Sequence, residues 1–372
     1  MTKRFADSLS ANNFALFGFL TLGYFVAAKA GLKLALVQPY VLPIWLPVGG
    51  ALAAFILFGY RVWPAVLIGS FLGHVTALGL VSTSFIVPLG ATLEGLAGAY
   101  LVNKFAHGAK AFDTARDVFL FVFFTCICAP SINATVGMGI YYFDGRFGLR
   151  DSAFMWLTWW LAHGIAVLLV APFVILLFRA SHHRMDLREF GELTILLVGL
   201  IFVCLLVFSP LSLSLNGNQV IRVWLCVPFL IWAGFRFCPL EAAGTTLILF
   251  GSAVWGTLHG YGSFVSKNLT TSLILLDSFV GVIGTTTLVV AAMVVERRRI
   301  EGELLGTQIL LQEAVEGKDR DLTVTVQALD VEVAGHARTR RLLRDSQERL
   351  RLLAENSKLQ SVETQTQTER LK

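Results

Sequence analysis

Apolar residues along this chain come in long unbroken runs, near 14–37, 41–58, 62–81, 84–103, 117–142, 153–178, 192–212, 220–237, 240–259 and 269–295. A helix needs about 20 such residues to cross the hydrocarbon core of a bilayer. The pattern predicts an all-α integral membrane protein with about ten transmembrane helices. Two runs are weaker, because Pro43 and Pro47 interrupt 41–58, while 220–237 is short with Arg222 near its start. If one of these is re-entrant, the number falls to eight or nine. The last run passes through Val294-Val295-Glu296-Arg297-Arg298-Arg299 into a charged segment without a proline. There Leu329, His336, Leu343 and Leu350 fall seven apart, with Val333 and Leu353 near the same seam. Seven-residue spacing points to a coiled coil, with a solvated single helix as the alternative. Gly302, Gly306 and Gly317 weaken the start of this segment, and Leu322–Val326 alternates in a way that suits neither state. The chain therefore divides into a cytoplasmic N-terminus (1–13), a polytopic membrane domain (14–295), a cytoplasmic helix or coiled coil (296–357) and a polar tail (358–372) that reads as disordered.

Composition sharpens this division. The 372 residues are 55% hydrophobic and 15% charged, against about 25% charged in an ordinary soluble domain. Charged residues number 27 in positions 1–295 and 28 in positions 296–372. So apolar a body excludes a soluble globular enzyme, and its abundance of Leu, Val, Phe and Trp excludes disorder. The tail carries 14 cations and 14 anions, so the net charge of +5 belongs to the body. With ten spans and an internal N-terminus, thirteen Lys and Arg fall on the inner side and five on the outer. The positive-inside rule then places both termini in the cytoplasm. The outer loops, such as 214–218 and 260–263, are short, so no folded extracellular domain is expected. No basic stripe indicates a nucleic-acid partner. The first apolar run is too long for a cleavable signal peptide. Cys126, Cys128, Cys204, Cys226 and Cys238 read as small buried hydrophobes, without a metal or redox spacing.

Several residues could carry chemistry. Trp45 and Pro47 lie in the proline-interrupted run, where disrupted backbone at membrane depth must meet protein or a watery cavity. This element is either a packed kink or a pocket wall. Glu94, His74, His163 and Asp277 are ionisable groups inside apolar runs, and Asn133 follows Pro130. Such groups are costly in lipid. Each alone can be an interhelical hydrogen bond, but together they suit a polar cavity for a small ligand. Glu94 sits among small residues that allow close helix contact. Lys29 and Lys33 are expected to snorkel outward, with anion recognition as the alternative. Trp156, Trp159 and Trp160 suit a membrane–water interface, and Arg236 is expected to reach the cytoplasmic side.

Taken in order, five elements resemble the first family of bacterial membrane-associated sensor domains (MASE). They are Ile44-Trp45-Leu46-Pro47-Val48-Gly49 with Gly59-Tyr60-Arg61-Val62-Trp63-Pro64 and Gly69-Ser70-Phe71; Thr92-Leu93-Glu94; Trp159-Trp160-Leu161 with Ala171-Pro172; Pro228…Trp232-Ala233…Arg236-Phe237; and Val295-Glu296-Arg297-Arg298. The resemblance covers about residues 12–300. One position departs from it, since His163 stands where an acidic residue is expected after the paired Trp. The resemblance implies a membrane-embedded input module feeding a histidine kinase of a two-component system or a diguanylate cyclase (GGDEF) that makes cyclic di-GMP, often through PAS domains. Residues 349–357 are similar to the helix that leads into a PAS domain. About 15 residues follow, too few for that fold, so the output module is expected outside this chain or absent. The candidate ligand site comprises Trp45, Pro47, His74, Glu94, Asn133, Trp159, His163 and Asp277, and Glu296, Arg297, Leu329, Leu343 and Leu350 are the candidate signal-transmission residues. The expected partners are membrane lipids, a second copy of the chain and an unknown small ligand. No catalytic set, cofactor or metal site is recognised in the sequence. The competing reading is a small-solute transporter or permease, since broken helices and intramembrane carboxylates suit one. No internal repeat between the halves supports it.

Overall fold

The computed structural model describes residues 13–34, 44–79, 82–145, 148–180, 186–214 and 222–370. The segment before Asn13, Pro43, the side chain of Lys33, and Arg146 and Asn216 of the loops expected on the outer side lie outside the described residues. Each apolar run is helical where described: α1 (Asn13–Leu34), α2 (Leu46–Phe58), α3 (Trp63–Leu78), α4 (Ser82–Phe105), α5 (Ala115–Val122), α6 (Pro130–Phe143), α7 (Leu149–Arg179), α8 (Leu187–Phe208), α9 (Val227–Arg236), α10 (Pro239–Leu258) and α11 (Leu269–Arg370). No strand is found among the described residues.

Proline acts here mainly as a starter of helices. Pro47, Pro64, Pro130, Pro228 and Pro239 occupy the first turns of α2, α3, α6, α9 and α10. The missing N–H costs nothing there, because first-turn donors have no intrahelical partner. Pro47 therefore opens α2 rather than breaking a span. A π-helical turn, Phe123–Cys128, joins α5 to α6. Its wider ladder is visible in the Ala129 N–H donating to the Phe124 carbonyl at 2.9 Å.

Six helical segments are long and apolar enough to cross a membrane: 13–32, 82–105, 115–143, 151–179, 187–208 and the segment beginning at Leu269. Among the described residues, these six segments qualify by length and composition, fewer than the ten expected, with shorter or less apolar helices between them. At about 1.5 Å per residue, the 13 residues of α2 span roughly 20 Å, short of the ~30 Å hydrocarbon core. α2 is instead enclosed by protein. It packs on α7, α4 and α1, and Pro47, Val48, Leu52 and Phe55 are all buried. α7 also meets α6 and α10. The membrane part of α11 is seated through glycines: a Cβ at Gly281 would lie 3.2 Å from Ile165, and one at Gly284 3.4 Å from Leu168 and Thr246.

From Ile300 onward the residues form a separate unit, helical to Arg370 and with every described side chain exposed. Gly302, Gly306, Gly317, residues 322–326 and residues 358–370 are all helical, although their pattern pointed to weakness or disorder. A glycine costs only about 1 kcal/mol in a helix, and the surrounding Leu, Glu, Gln, Arg and Lys are strong helix formers. Thr323 and Thr325 turn their hydroxyls back onto the carbonyls of Asp319 and Asp321, which removes their competition with the ladder.

Candidate functional site

The centre of the membrane body is a buried polar chain built on α7 and α4. α7 presents Trp159 and His163 one turn apart, on one face. The Trp159 Nε1–H donates to His163 Nε2 at 2.8 Å. Nδ1 must then carry the ring proton, and it donates to Glu94 Oε2, also at 2.8 Å. Both members of that pair are almost sealed from solvent, with side-chain exposures of 4% for His163 and 3% for Glu94. Small residues make the approach possible. A Cβ at Gly90 would strike Asn133 Oδ1 at 2.4 Å, and one at Gly137 would strike the Trp159 ring at 2.5 Å. Gly164, next to His163, lies against the carbonyl of Cys126 in the π turn, where a Cβ would come within 2.5 Å. The π turn therefore sets the depth at which α7 can bring His163 to Glu94. Such turns concentrate at functional positions.

The second carboxylate oxygen, Glu94 Oε1, is buried without a hydrogen-bond partner, as is Asn133 Oδ1. Beside Glu94 is a cavity of about 10 Å³ lined by Val48, Leu52, Gly95, Gly98, Thr125, Ala129 and Val167. That is room for one water molecule.

The eight residues read from the sequence as a ligand site divide into groups. Glu94, His163 and Trp159 are directly bonded, and Asn133 faces Gly90 one turn along α4 from Glu94. Trp45 and His74 form a neighbouring pair with ring centroids 5.9 Å apart, and His74 Nδ1 bonds the Ser70 carbonyl at 2.9 Å. Tyr24 of α1 faces Ser70 and Trp45. Pro47 is buried in the first turn of α2. Asp277 stands apart on the other side of α7, one turn before Gly281, and its Oδ1 is buried without a partner. Of the eight, only Glu94 lines the cavity. The three tryptophans of α7 turn their N–H groups into the protein: Trp156 to Thr135 Oγ1 at 3.1 Å, Trp159 to His163, and Trp160 to the Ile127 carbonyl at 2.8 Å. Lys29 donates to the Thr76 carbonyl at 3.2 Å. Cys204 and Cys226 are buried, but Cys238 is exposed.

A second polar layer ties the start of the bundle's exit helix to its neighbours. Glu296 Oε2 accepts the Ala115 N–H at 3.2 Å, and so caps α5 from 181 residues away. A carboxylate is favourable there because the first N–H groups of a helix are unpaired and carry positive partial charge. Thr114 accepts from the Asp117 N–H at 3.2 Å, and Asp117 Oδ2 meets His107 at 2.7 Å. Arg179 forks onto Asp113 at 2.9 and 3.0 Å and onto the Ala109 carbonyl. Arg236, expected on the cytoplasmic side, pairs with Glu192 at 2.5 Å. Its carbonyl is also within 3.5 Å of Arg298 Nη2. These pairings were not foreseen, although Thr114-Ala115-Arg116-Asp117 is a helix-start signature visible in the sequence. Leu329, Leu343 and Leu350 are exposed on the separate helical unit.

An all-helical, membrane-spanning body around a buried carboxylate–histidine pair defines a polytopic integral membrane domain. The model of the MASE1 family, membrane-associated sensor domain 1, matches residues 16–298, and the chain belongs to that family. MASE1 is a sensory, non-catalytic domain of signalling receptors. No curated protein and no solved structure matches the chain.

Proposed function

We propose that this chain is the sensory input module of a bacterial receptor whose output is a histidine kinase or a diguanylate cyclase. A stimulus at the Glu94–His163 centre, a small ligand or a change in membrane state, biases two packings of the bundle. Helix α11 carries the bias out. The observation that supports this reading most is that residues on both sides of Arg299 are helical, within Leu269–Arg370. We further propose that the chain lies in the inner membrane with both termini cytoplasmic, α2 being packed inside the protein instead of spanning; the excess of Lys and Arg in the segments read as inner favours this orientation. Pairing of two copies through a coiled coil of residues 296–357 fits the exposed Leu329, Leu343 and Leu350, because an isolated helix with that many bare leucines gains little from water. A stimulus shifts such an equilibrium only if it binds the two packings unequally.

The test is a fusion of the full chain to a diguanylate cyclase, with four residues inserted between Ile300 and Glu301. Four residues rotate everything downstream by about 40° against the original face. Output should be locked on or off by the insertion. Unchanged output and unchanged response would overturn the model.

A further inference from the structure

We propose that Glu94 Oε1 is a proton-binding site, reached through the water-sized cavity beside it, and that the stimulus is the hydrogen ion. This deepens the sensory reading above and rests on it. Three observations select the atom. His163 Nε2 is occupied by the Trp159 N–H, so the ring has no free nitrogen to take up a proton. Nδ1 is already a donor, to Oε2. That leaves Oε1, buried without a partner on a residue that lines the cavity.

The step balances simply. A hydronium ion in the cavity gives its proton to Oε1, one O–H bond forms, a water molecule remains, and no electrons are transferred. The side chain passes from charge −1 to 0. The new O–H can donate to that water. The neighbouring Thr125 hydroxyl, which donates to the Phe121 carbonyl at 2.7 Å, still has lone pairs to offer it.

Other groups face this centre from each packed element: Tyr24 from α1, His74 from α3, Tyr141 and Asn133 from α6, Cys126 from the π turn, and Asp277 across α7. α2 contributes only the Trp45 N–H and apolar side chains. No lysine or arginine is among them, so among the described residues the charge on Glu94 meets only the His163 Nδ1–H.

Protonation turns a charge-assisted bond between α4 and α7 into a neutral one, roughly half as strong. His163 lies two and five residues before Ile165 and Leu168, the α7 side chains that seat Gly281 and Gly284 of α11. A loosened α4–α7 contact is thereby felt at the exit helix.

The test uses the full chain in lipid nanodiscs, followed by infrared difference spectroscopy during a pH titration. A carboxylic-acid C=O band should grow as pH falls and should be lost in Glu94→Gln. Nitrogen-15 NMR should show His163 neutral and protonated at Nδ1 throughout. A band that persists in Glu94→Gln, no titrating band, or a wild-type His163 imidazolium overturns the proposal. Should Glu94→Gln fail to fold, Glu94→Asp provides the check, because its shorter carboxyl should shift the frequency of the titrating C=O band. A titrating band unchanged in frequency in that variant also overturns the proposal. Failure of these signatures removes the proton site but not the sensory reading. That reading instead falls if the four-residue insertion leaves output untouched while the signatures are present.

Discussion

The Glu94–His163 pair makes a quantitative prediction through a double-mutant cycle. His163→Ala strips Glu94 Oε2 of its only partner while Oε1 already has none. Leaving a buried charge uncompensated costs about 3–5 kcal/mol. Glu94→Ala leaves the His163 Nδ1–H unpaired, at about 1–3 kcal/mol plus a cavity cost. The double variant removes both of these orphans and keeps only the stranded Trp159 N–H that His163→Ala also has, so its destabilisation should fall short of the sum by about 4 kcal/mol or more. An ordinary interhelical hydrogen bond in a membrane protein averages only about 0.6 kcal/mol, because the unfolded chain in the bilayer finds other partners. The excess over that value measures charge assistance at two side chains that are nearly fully sealed. Reversible unfolding in mixed detergent micelles, followed by tryptophan fluorescence, gives the four free energies. A coupling energy of about 0.6 kcal/mol or less would refute the reading of a charged, sealed pair.

Other consequences are more local. Gly164→Ala and Gly49→Ala each place a Cβ 2.5 Å from a backbone carbonyl and should lower thermal stability by about 1–3 kcal/mol or more, whereas Gly18→Ala, with nothing within 4 Å, should hold or raise the melting temperature. Glu296→Ala removes the acceptor for the Ala115 N–H and should cost about 1 kcal/mol; hydrogen exchange at amides 115–118 should accelerate, and unchanged protection there would contradict the cap. Asp113→Asn breaks the fork with Arg179, but at 30 and 35% side-chain exposure solvent screening limits the loss to roughly 1 kcal/mol or less. That loss should shrink further in high salt, and a salt-independent effect would mean the pair acts otherwise.

Much of the secondary structure could be read from the order of residues. The run near 84–103 became Ser82–Phe105, that near 153–178 became Leu149–Arg179, and the prolines marked first turns. The resemblance carried by Trp45, Glu94, Arg236 and Glu296 led to the family. The number of membrane crossings was less legible. Hydropathy cannot distinguish a 13-residue helix wrapped in protein from a span exposed to lipid, since both are apolar on every side. The candidate site was legible as a set of residue types and not as an arrangement. Glu94, His163 and Trp159 came together, while Asp277 went to the far side of α7.

Chain order alone determined that this protein has an apolar helical body and a charged helical tail, because the cost of burying backbone and charge in hydrocarbon is a property of each segment by itself. Only tertiary structure decided that His163 meets Glu94 across 69 positions and that Glu296 caps α5 across 181. Those meetings depend on how closely two helices approach. Here that is set by Gly90, Gly137 and Gly164 fitting against Asn133, Trp159 and the π-turn carbonyl of Cys126, a match of shapes that no single segment contains.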